Sequence, residues 1–200
     1  LGSFLQTLTL EFKYFMKILL ASNSPRRREL LKELGFDFEV VSVDCEEVYP
    51  TDMEVARIAG YLSELKSNSF RTLQNNEVLI TADTIVTLNQ EILGKPMDEV
   101  HAKEMLQILS GKTHQVYTGI TLKSLTKTIT KTDLAHVELE NINAEEIDFY
   151  IKNYRPFDKA GSYGIQEWIG FVGVAKIDGS YPNVMGLPID KVYQFLTKFA

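Results

Sequence analysis

Three arginines crowd a serine-containing turn in the segment Ser22-Asn23-Ser24-Pro25-Arg26-Arg27-Arg28. Pro25 suits the first position of a helix, and Ser24 before it can cap free backbone amides. Arginines are unusual there, because the helix dipole is already positive and acidic residues are preferred. An anion held by the helix N-terminus, the serine hydroxyls and the guanidinium groups would offset this charge. A solvated basic helix start is the alternative, and the stretch alone favours neither.

A carboxylate, Asp83, ends the apolar run 78–82, which predicts a central buried strand. Open α/β sheets usually bind ligands beyond the carboxyl ends of their strands, so Asp83 is a candidate site residue. Other charged residues beside turns or helix ends could join it: Lys66, Lys95, Lys159, Glu46 and Glu47. Cations beside an acid suit phosphate-ester chemistry, in which the carboxylate orients or deprotonates water or binds Mg²⁺. Taken singly, each lysine is as simply explained by a structural role, and Asp83 by a turn cap.

Other motifs give weaker evidence for a functional site. Ser110-Gly111-Lys112-Thr113 resembles the end of a P-loop, but position 106, where that motif needs glycine, holds Leu106 on an apolar helix face. We interpret the segment as a turn that ends a helix. The three histidines and one cysteine show no zinc spacing, and we expect His114 to be a hydrogen-bonded core or rim residue.

The composition is that of an ordinary globular protein, with 44% apolar and 24% charged residues. A net charge of −6 argues against a nucleic-acid partner, and no apolar run approaches the roughly 18 residues of a membrane span. Cys45 is the only cysteine, which favours a reducing compartment, so we expect a cytoplasmic protein. We expect residues 1–15 to be an extension outside the fold and 16–200 to form a single domain.

The elements that must position these residues alternate between strand and helix early in the chain and become more antiparallel later. The pattern predicts a mixed α/β fold. Specific expectations are a capping box at Thr51-x-x-Glu54, helix caps at Asp98 and Asn143, a hairpin turn at Asn89-Gln90, an antiparallel pair formed by 115–122 and 128–139, and a strand over 171–177.

Six segments occur in an order that matches a known family. They are Ser22-Asn23-Ser24-Pro25-Arg26-Arg27-x-x-Leu30-Leu31, Thr81-Ala82-Asp83-Thr84-Ile85-Val86, Gly94-Lys95-Pro96, Ser110-Gly111-x-Thr113-His114-x-Val116-x-Thr118-Gly119, Asp158-Lys159-Ala160-Gly161-x-Tyr163-Gly164-Ile165-Gln166 and Gly179-Ser180-Tyr181-x-x-Val184-x-Gly186-Leu187-Pro188. Over about residues 17–199 the chain resembles the Maf family of nucleoside triphosphate pyrophosphatases.

This resemblance implies a two-lobed, mixed-sheet α/β fold with a central cleft, similar to the inosine triphosphate pyrophosphatases. It implies hydrolysis between the α- and β-phosphates of a nucleoside triphosphate, with a divalent cation such as Mg²⁺ or Mn²⁺, in a homodimer. Asp83 matches the proposed proton acceptor, and Glu47 would join it as a metal ligand. The substrate-binding candidates are Ser22, Ser24, Arg26, Arg27, Lys66, Thr84, Lys95 and Gln166.

Positions matching Arg26, Thr84 and Gln166 separate substrate classes within the family, and these residue types resemble the subgroup acting on dTTP and UTP. The Gln166 amide can both donate and accept, which suits the imide edge of a pyrimidine. A nucleotide-binding regulator of cell division and a pyrophosphatase for a methylated guanine nucleotide are the alternatives. Intact Asp83, Lys95 and Glu47 favour catalysis over binding alone, and Thr84 and Gln166 argue against guanine.

Overall fold

The computed structural model describes residues 16–199, which form seven strands and seven α-helices. The first half alternates between the two kinds of element: β1 (Lys17–Ala21), α1 (Pro25–Glu33), β2 (Phe38–Val41), α2 (Val55–Asn68), β3 (Glu77–Leu88), β4 (Glu91–Leu93) and α3 (Glu99–Leu109). The second half contains β5 (Thr113–Lys123), β6 (Thr128–Leu139), α4 (Ala144–Tyr154), a 3-10 turn (Ala160–Ser162), α5 (Trp168–Gly173), β7 (Val174–Asp178), α6 (Tyr181–Met185) and α7 (Ile189–Leu196).

The strands form one mixed sheet in the order β2-β1-β3-β5-β6-β7, with β4 paired to β3. β1 lies parallel to β2 and β3, whereas the β3–β4 and β6–β7 pairs are antiparallel. The predicted mixed α/β class is therefore confirmed. Ala21 at the end of β1 is paired with Thr81 of β3. Because these two strands are parallel, the serine–arginine turn after β1 and Asp83, which follows Thr81 by two residues within β3, both lie just beyond the carboxyl end of β1.

The chain divides into two compact units. The first contains residues up to 83, 118–133 and 186 onward, and the second contains 84–117 and 134–185. β3, β5 and β6 each contribute residues to both. That 16–200 form a single domain stays a prediction, and the prediction for residues 1–15 lies outside the described residues.

Each unit has its own apolar core. In the first, a cluster under β1 and β3 includes Leu19, Leu73 and Leu79, packed by Phe70. In the second, a larger cluster joins β3–β6 to the helices α3, α4 and α5, and Leu106, Tyr150 and Ile169 are fully buried in it. Among the helices of the described residues, none combines the length and the apolar character needed to cross a bilayer.

Two helix-start predictions are confirmed by hydrogen bonds, and one hairpin-turn prediction is confirmed by backbone angles. The Asp98 carboxylate accepts from His101 N at 2.8 Å. Asn143 and Glu146 form a reciprocal capping box at the start of α4. Asn89 and Gln90 both adopt positive φ, 51° and 71°, as a two-residue hairpin between β3 and β4 requires.

One strand prediction is wrong. The strand does not end at Asp83, because β3 continues to Leu88 through its pairing with β4, so Asp83 lies inside the strand.

Three further local predictions are wrong. Ser24 is the N-cap residue of α1, but in the described part of the chain its side chain makes no capping bond. α2 begins only at Val55 with Glu54 as N-cap, so Thr51 does not open it. The segment predicted as a strand over 171–177 starts as the last turn of α5 and becomes β7 only at Val174, since Gly170 N and Phe171 N both donate to Glu167 O.

Candidate active site

Arg27 joins the backbone of β3 just before Asp83 to the backbone at Gly186. It extends from the first turn of α1, and its Nε donates to Gly186 O while Nη1 donates to Ala82 O, both at 2.8 Å. Burial lowers the pKa of the Arg27 guanidinium, and the nearby carboxylates of Asp83 and Glu47 act in the opposite direction. Arginine nevertheless stays protonated in proteins. Arg27 is therefore a permanent positive charge anchored one residue before Asp83.

Lys66 is held between two carboxylates. Its Nζ lies 2.5 Å from Asp83 Oδ1 and 3.0 Å from Glu47 Oε1. The side chains of Lys66 and Asp83 are 15% and 11% exposed, whereas that of Glu47 is 51% exposed. An ion pair with so little solvent around it is screened less than a surface pair. The structure thus brings three sequence-predicted residues together just beyond the carboxyl end of β1.

The position of Lys66 depends on close packing of α2 against the sheet. Gly119 of β5 faces Ala59, and a Cβ at Gly119 would lie 2.1 Å from Ala59 O. Buried hydroxyl groups lock the same helix, because Ser63 Oγ and Thr121 Oγ1 lie 2.8 Å apart and Thr81 Oγ1 donates to Ser63 O at 2.6 Å. Small and hydroxyl side chains therefore let α2 approach the strand that carries Asp83.

The two serines of the turn have different environments. Ser22 is buried, and its Oγ accepts from Ser24 N at 3.2 Å, which shapes the turn. Ser24 Oγ is shielded from solvent and has no hydrogen-bond partner among residues 16–199. An unsatisfied buried hydroxyl is costly, and a bound anion would satisfy it. Arg26 lies half-buried on the helix that follows.

The second unit holds the remaining predicted residues. Thr84 follows Asp83 directly along β3 and is half-buried, and Lys95 is exposed in the loop after β4. Gly161 N donates to Gly94 O at 3.1 Å, so the Lys95 loop is joined to the segment that leads to Gln166. Gln166 is half-buried, and its Oε1 is shielded from solvent without a hydrogen-bond partner in the described chain.

Two other candidates have structural contacts within the second unit. Lys159 is buried and pairs with Asp158 at 2.8 Å and with Glu167 at 3.1 Å. His114 is 1% exposed, and its Nε2 lies 2.7 Å from the Tyr163 hydroxyl. Burial lowers the pKa of His114 to about 4. The expectation of a hydrogen-bonded core histidine is confirmed.

Sequence reasoning missed Tyr150 and Glu167. The Tyr150 hydroxyl donates to Glu167 Oε2 and accepts from Gly164 N at 2.9 Å. An acidic residue directly after Gln166 was the available signal for Glu167. No periodicity pairs it with a tyrosine 17 positions earlier.

Comparison with known proteins identifies the family. Residues 17–199 match the family described as Maf-like protein. The chain belongs to the Maf family. A family member from Phocaeicola vulgatus, named dTTP/UTP pyrophosphatase, is 50% identical over 184 residues, which cover 91% of this chain and 95% of that protein. Relatives with the same name in Bacteroides thetaiotaomicron and Flavobacterium johnsoniae are 49% and 47% identical, covering 91% and 90% of this chain and 95% and 94% of theirs.

Among solved structures, a Ham1 protein from Staphylococcus aureus shares the fold of this Maf-family chain. The TM-score is 0.53 at 17% sequence identity, and the match covers 92% of this chain and all of the other. At that identity the likeness concerns the fold alone, and it agrees with the fold class expected from the sequence.

Proposed function

We propose that the protein hydrolyses dTTP and UTP, and modified pyrimidine triphosphates, to the nucleoside monophosphate and pyrophosphate. One observation carries the proposal: Lys66 is held by Asp83 and Glu47 beside a turn rich in arginine and serine. Cations next to carboxylates at a sheet end suit phosphoanhydride hydrolysis. Relatives up to 50% identical that are named dTTP/UTP pyrophosphatase support the same substrates.

The positive groups have distinct uses in this reaction. Lys66 and Lys95 neutralise phosphate oxygens, while Arg27 adds a permanent charge and keeps the backbone at Ala82 and Gly186 in place. The Ser24 hydroxyl, which no described residue engages, donates to a phosphate oxygen at the start of α1. Ser22 supports that turn through the Ser24 amide.

Asp83 is the proposed proton acceptor. Its carboxylate is held by Lys66, with Oδ1 engaged at 2.5 Å, and this contact fixes the carboxylate's orientation toward an attacking water. Positioned general bases contribute about 10²–10⁴-fold to such reactions. Because Lys66 also contacts Glu47, the same ammonium sets the spacing of both carboxylates.

The donor set fits a divalent cation. Glu47 and Asp83 supply the carboxylate oxygens that Mg²⁺ prefers, and Mg²⁺ is usually held by one or two carboxylates together with substrate phosphates. Groups of three or more metal-ligating side chains are absent from the described residues, so phosphate oxygens and water would complete the shell. A bound Mg²⁺ or Mn²⁺ would neutralise charge on the phosphates.

Arg26, Thr84 and Gln166 are the proposed selectors of the base. Gln166 is the best supported of these by local structure, because its Oε1 is a shielded acceptor without a described partner. The imide N–H of uracil or thymine donates a hydrogen bond that such an acceptor would take.

Three further parts of the proposal rest on the sequence. The family resemblance supports a homodimer, which light scattering of the purified protein tests. The single cysteine supports a cytoplasmic location, and the net charge of −6 supports a protein without a nucleic-acid partner.

Pyrophosphate release from a panel of nucleoside triphosphates tests the activity and its specificity together. We expect UTP and dTTP to be turned over with Mg²⁺, no release after chelation with EDTA, and recovery on adding Mg²⁺ or Mn²⁺. If nucleotides bind but none is hydrolysed, the proposed enzymatic activity is contradicted and a nucleotide-binding regulator of cell division is favoured. Preference for a methylated guanine nucleotide would contradict the proposed pyrimidine substrates but leave the proposed pyrophosphatase reaction intact.

A further inference from the structure

Gln166 is the third residue of a tight turn, Gly164-Ile165-Gln166-Glu167, closed by a hydrogen bond from Glu167 N to Gly164 O at 2.9 Å. α5 follows the turn directly, starting at Trp168. The conformation of this turn therefore decides where the Gln166 carboxamide points.

One hydroxyl joins the two ends of the turn. Tyr150 OH, from α4, accepts a hydrogen bond from Gly164 N at 2.9 Å and donates one to Glu167 Oε2. The other carboxylate oxygen, Oε1, lies 3.1 Å from Lys159 Nζ. Tyr150 is fully buried, and the side chains of Glu167 and Lys159 are only 18% and 8% exposed. A buried network with its polar groups paired is rigid.

The Glu167 carboxylate and the Gln166 amide nitrogen lie against the same glycine. A Cβ added to Gly164 would lie 2.9 Å from Glu167 Oε2 and 3.0 Å from Gln166 Nε2. The negative carboxylate favours the amide nitrogen, which carries positive partial charge, on its own side. Gln166 Oε1, the other end of the carboxamide, is the acceptor without a described partner.

We propose that Glu167, held by Tyr150 and Lys159, is a positioning residue that fixes which end of the Gln166 carboxamide faces the base. This inference rests on the proposed function. A glutamine amide that is free to rotate by 180° matches the donor–acceptor edge of uracil or thymine in one orientation and that of cytosine in the other. With the orientation fixed, Oε1 accepts from the imide N–H, and cytosine, whose N3 is an acceptor, is rejected.

Glu167→Gln is the direct test, because it removes the charge but keeps the size and an acceptor for Tyr150. We expect the ratio of kcat/KM for UTP to that for CTP to fall about tenfold, through a higher KM for UTP with kcat within about twofold of wild type. Tyr150→Phe should shift the ratio in the same direction. The controls are Glu138→Gln, an exposed glutamate of β6, and Tyr154→Phe, an exposed tyrosine of α4. Both should leave the ratio unchanged.

Binding separates this inference from the proposed function. Trp168, the only tryptophan, directly follows Glu167, so its fluorescence reports nucleotide binding at the turn. If the wild type binds UTP over CTP without hydrolysing either, and Glu167→Gln removes that preference, the inference stands and the activity fails. If the wild type hydrolyses UTP and Glu167→Gln keeps the UTP/CTP ratio, with or without a lower melting temperature, the inference is overturned and the activity stands. A chain that binds neither nucleotide overturns both.

Discussion

The two units hold their candidate residues by different means. In the first, charged side chains meet one another: Lys66 lies between Asp83 and Glu47, and Arg27 is anchored on backbone carbonyls. In the second, the buried Tyr150 hydroxyl bridges Gly164 N and the Glu167 carboxylate, which Lys159 also contacts, and this network holds the turn that carries Gln166. Charge suits a triphosphate, which carries several negative charges. A carboxamide held in place by hydrogen bonds suits a base, which differs from its competitors only in its donors and acceptors.

Asp83→Asn gives the largest effect that this comparison predicts. The amide keeps the shape of the carboxylate but cannot accept a proton, so we expect kcat to fall about a thousandfold. Pyrophosphate release measures the loss, and circular dichroism checks the fold. Asp52→Asn, at an exposed aspartate, is the matched control and should behave as wild type. Near-normal turnover in Asp83→Asn would remove this residue from the mechanism.

Lys66→Met comes next, because it removes the cation that two carboxylates share. We expect kcat/KM for UTP to fall about a hundredfold, the magnitude typical of losing one group that stabilises transition-state charge. Lys152→Met, at an exposed lysine of α4, should change kcat/KM less than twofold. Equal activity in the two variants would show that the first unit does not use this charge for phosphate binding.

Gly119→Ala tests whether packing positions the charged residues. The new Cβ would meet the backbone of Ala59 and Gly60 at 2.1 and 2.4 Å, so α2 must move away from β5. Overpacking of this kind costs about 1–3 kcal/mol, which lowers the melting temperature by roughly 5 °C in a chain of this size. Gly94→Ala is the control, since no atom lies within 4 Å of its Cβ position. Equal melting temperatures would contradict the close approach.

The smallest effect concerns acid stability in the second unit. Burial lowers the pKa of His114 from 6.5 to about 4, so between these values the unfolded chain binds a proton that the folded chain does not. Stability is therefore lost as pH falls through this window, by on the order of 1–3 kcal/mol. Urea unfolding at pH 7, 6 and 5 measures the slope, and His114→Gln should flatten it. An unchanged slope would place the titration elsewhere.

Glu77 of the first unit affects acid stability at a lower pH than His114 does. Its carboxylate accepts two hydrogen bonds from Arg71 at 2.7 Å and one from Gln74 N, and these hold its pKa at about 2. Because this pKa is depressed, the Glu77 carboxylate stabilises the folded state at pH values above the usual pKa of glutamate. This stabilisation is lost as the pH falls toward 2. The Arg71–Glu77 contact of the first unit thus persists in acid where the buried imidazole of the second already weakens the fold.

Local signals in the sequence were enough to place the charged half of the site. A buried strand that contains Asp83, a proline-started helix carrying Arg27 and a lysine near the end of α2 are all short-range patterns. The predicted strand end at Asp83 is wrong, because pairing with β4 extends β3 to Leu88. The parallel pairing of β1 with β3 then follows from an alternating strand–helix order.

The contacts that sequence reasoning could not supply join residues far apart or reverse a local preference. Arg27 binds Gly186 O across 159 positions, and no periodicity reports such a pair. Ser24 has the side chain of a good cap, but its Oγ faces a shielded space instead. The segment after Glu167 is rich in β-prone residues, yet it begins as a helix because two backbone amides fold back onto Glu167 O.

The hydrogen bond from Arg27 to Gly186 O can form only late in synthesis of the chain, because its two residues are far apart in the sequence. Synthesis at about 5–20 residues per second separates the two residues by roughly 8 to 32 s. After Asp83 has been made, β1, α1, α2 and the Ala82 carbonyl are all present, but the carbonyl that receives Arg27 Nε is still about 100 residues away. A nascent chain therefore carries the arginine turn without its bond to Gly186 O, and the candidate site becomes complete only after translation has passed residue 186.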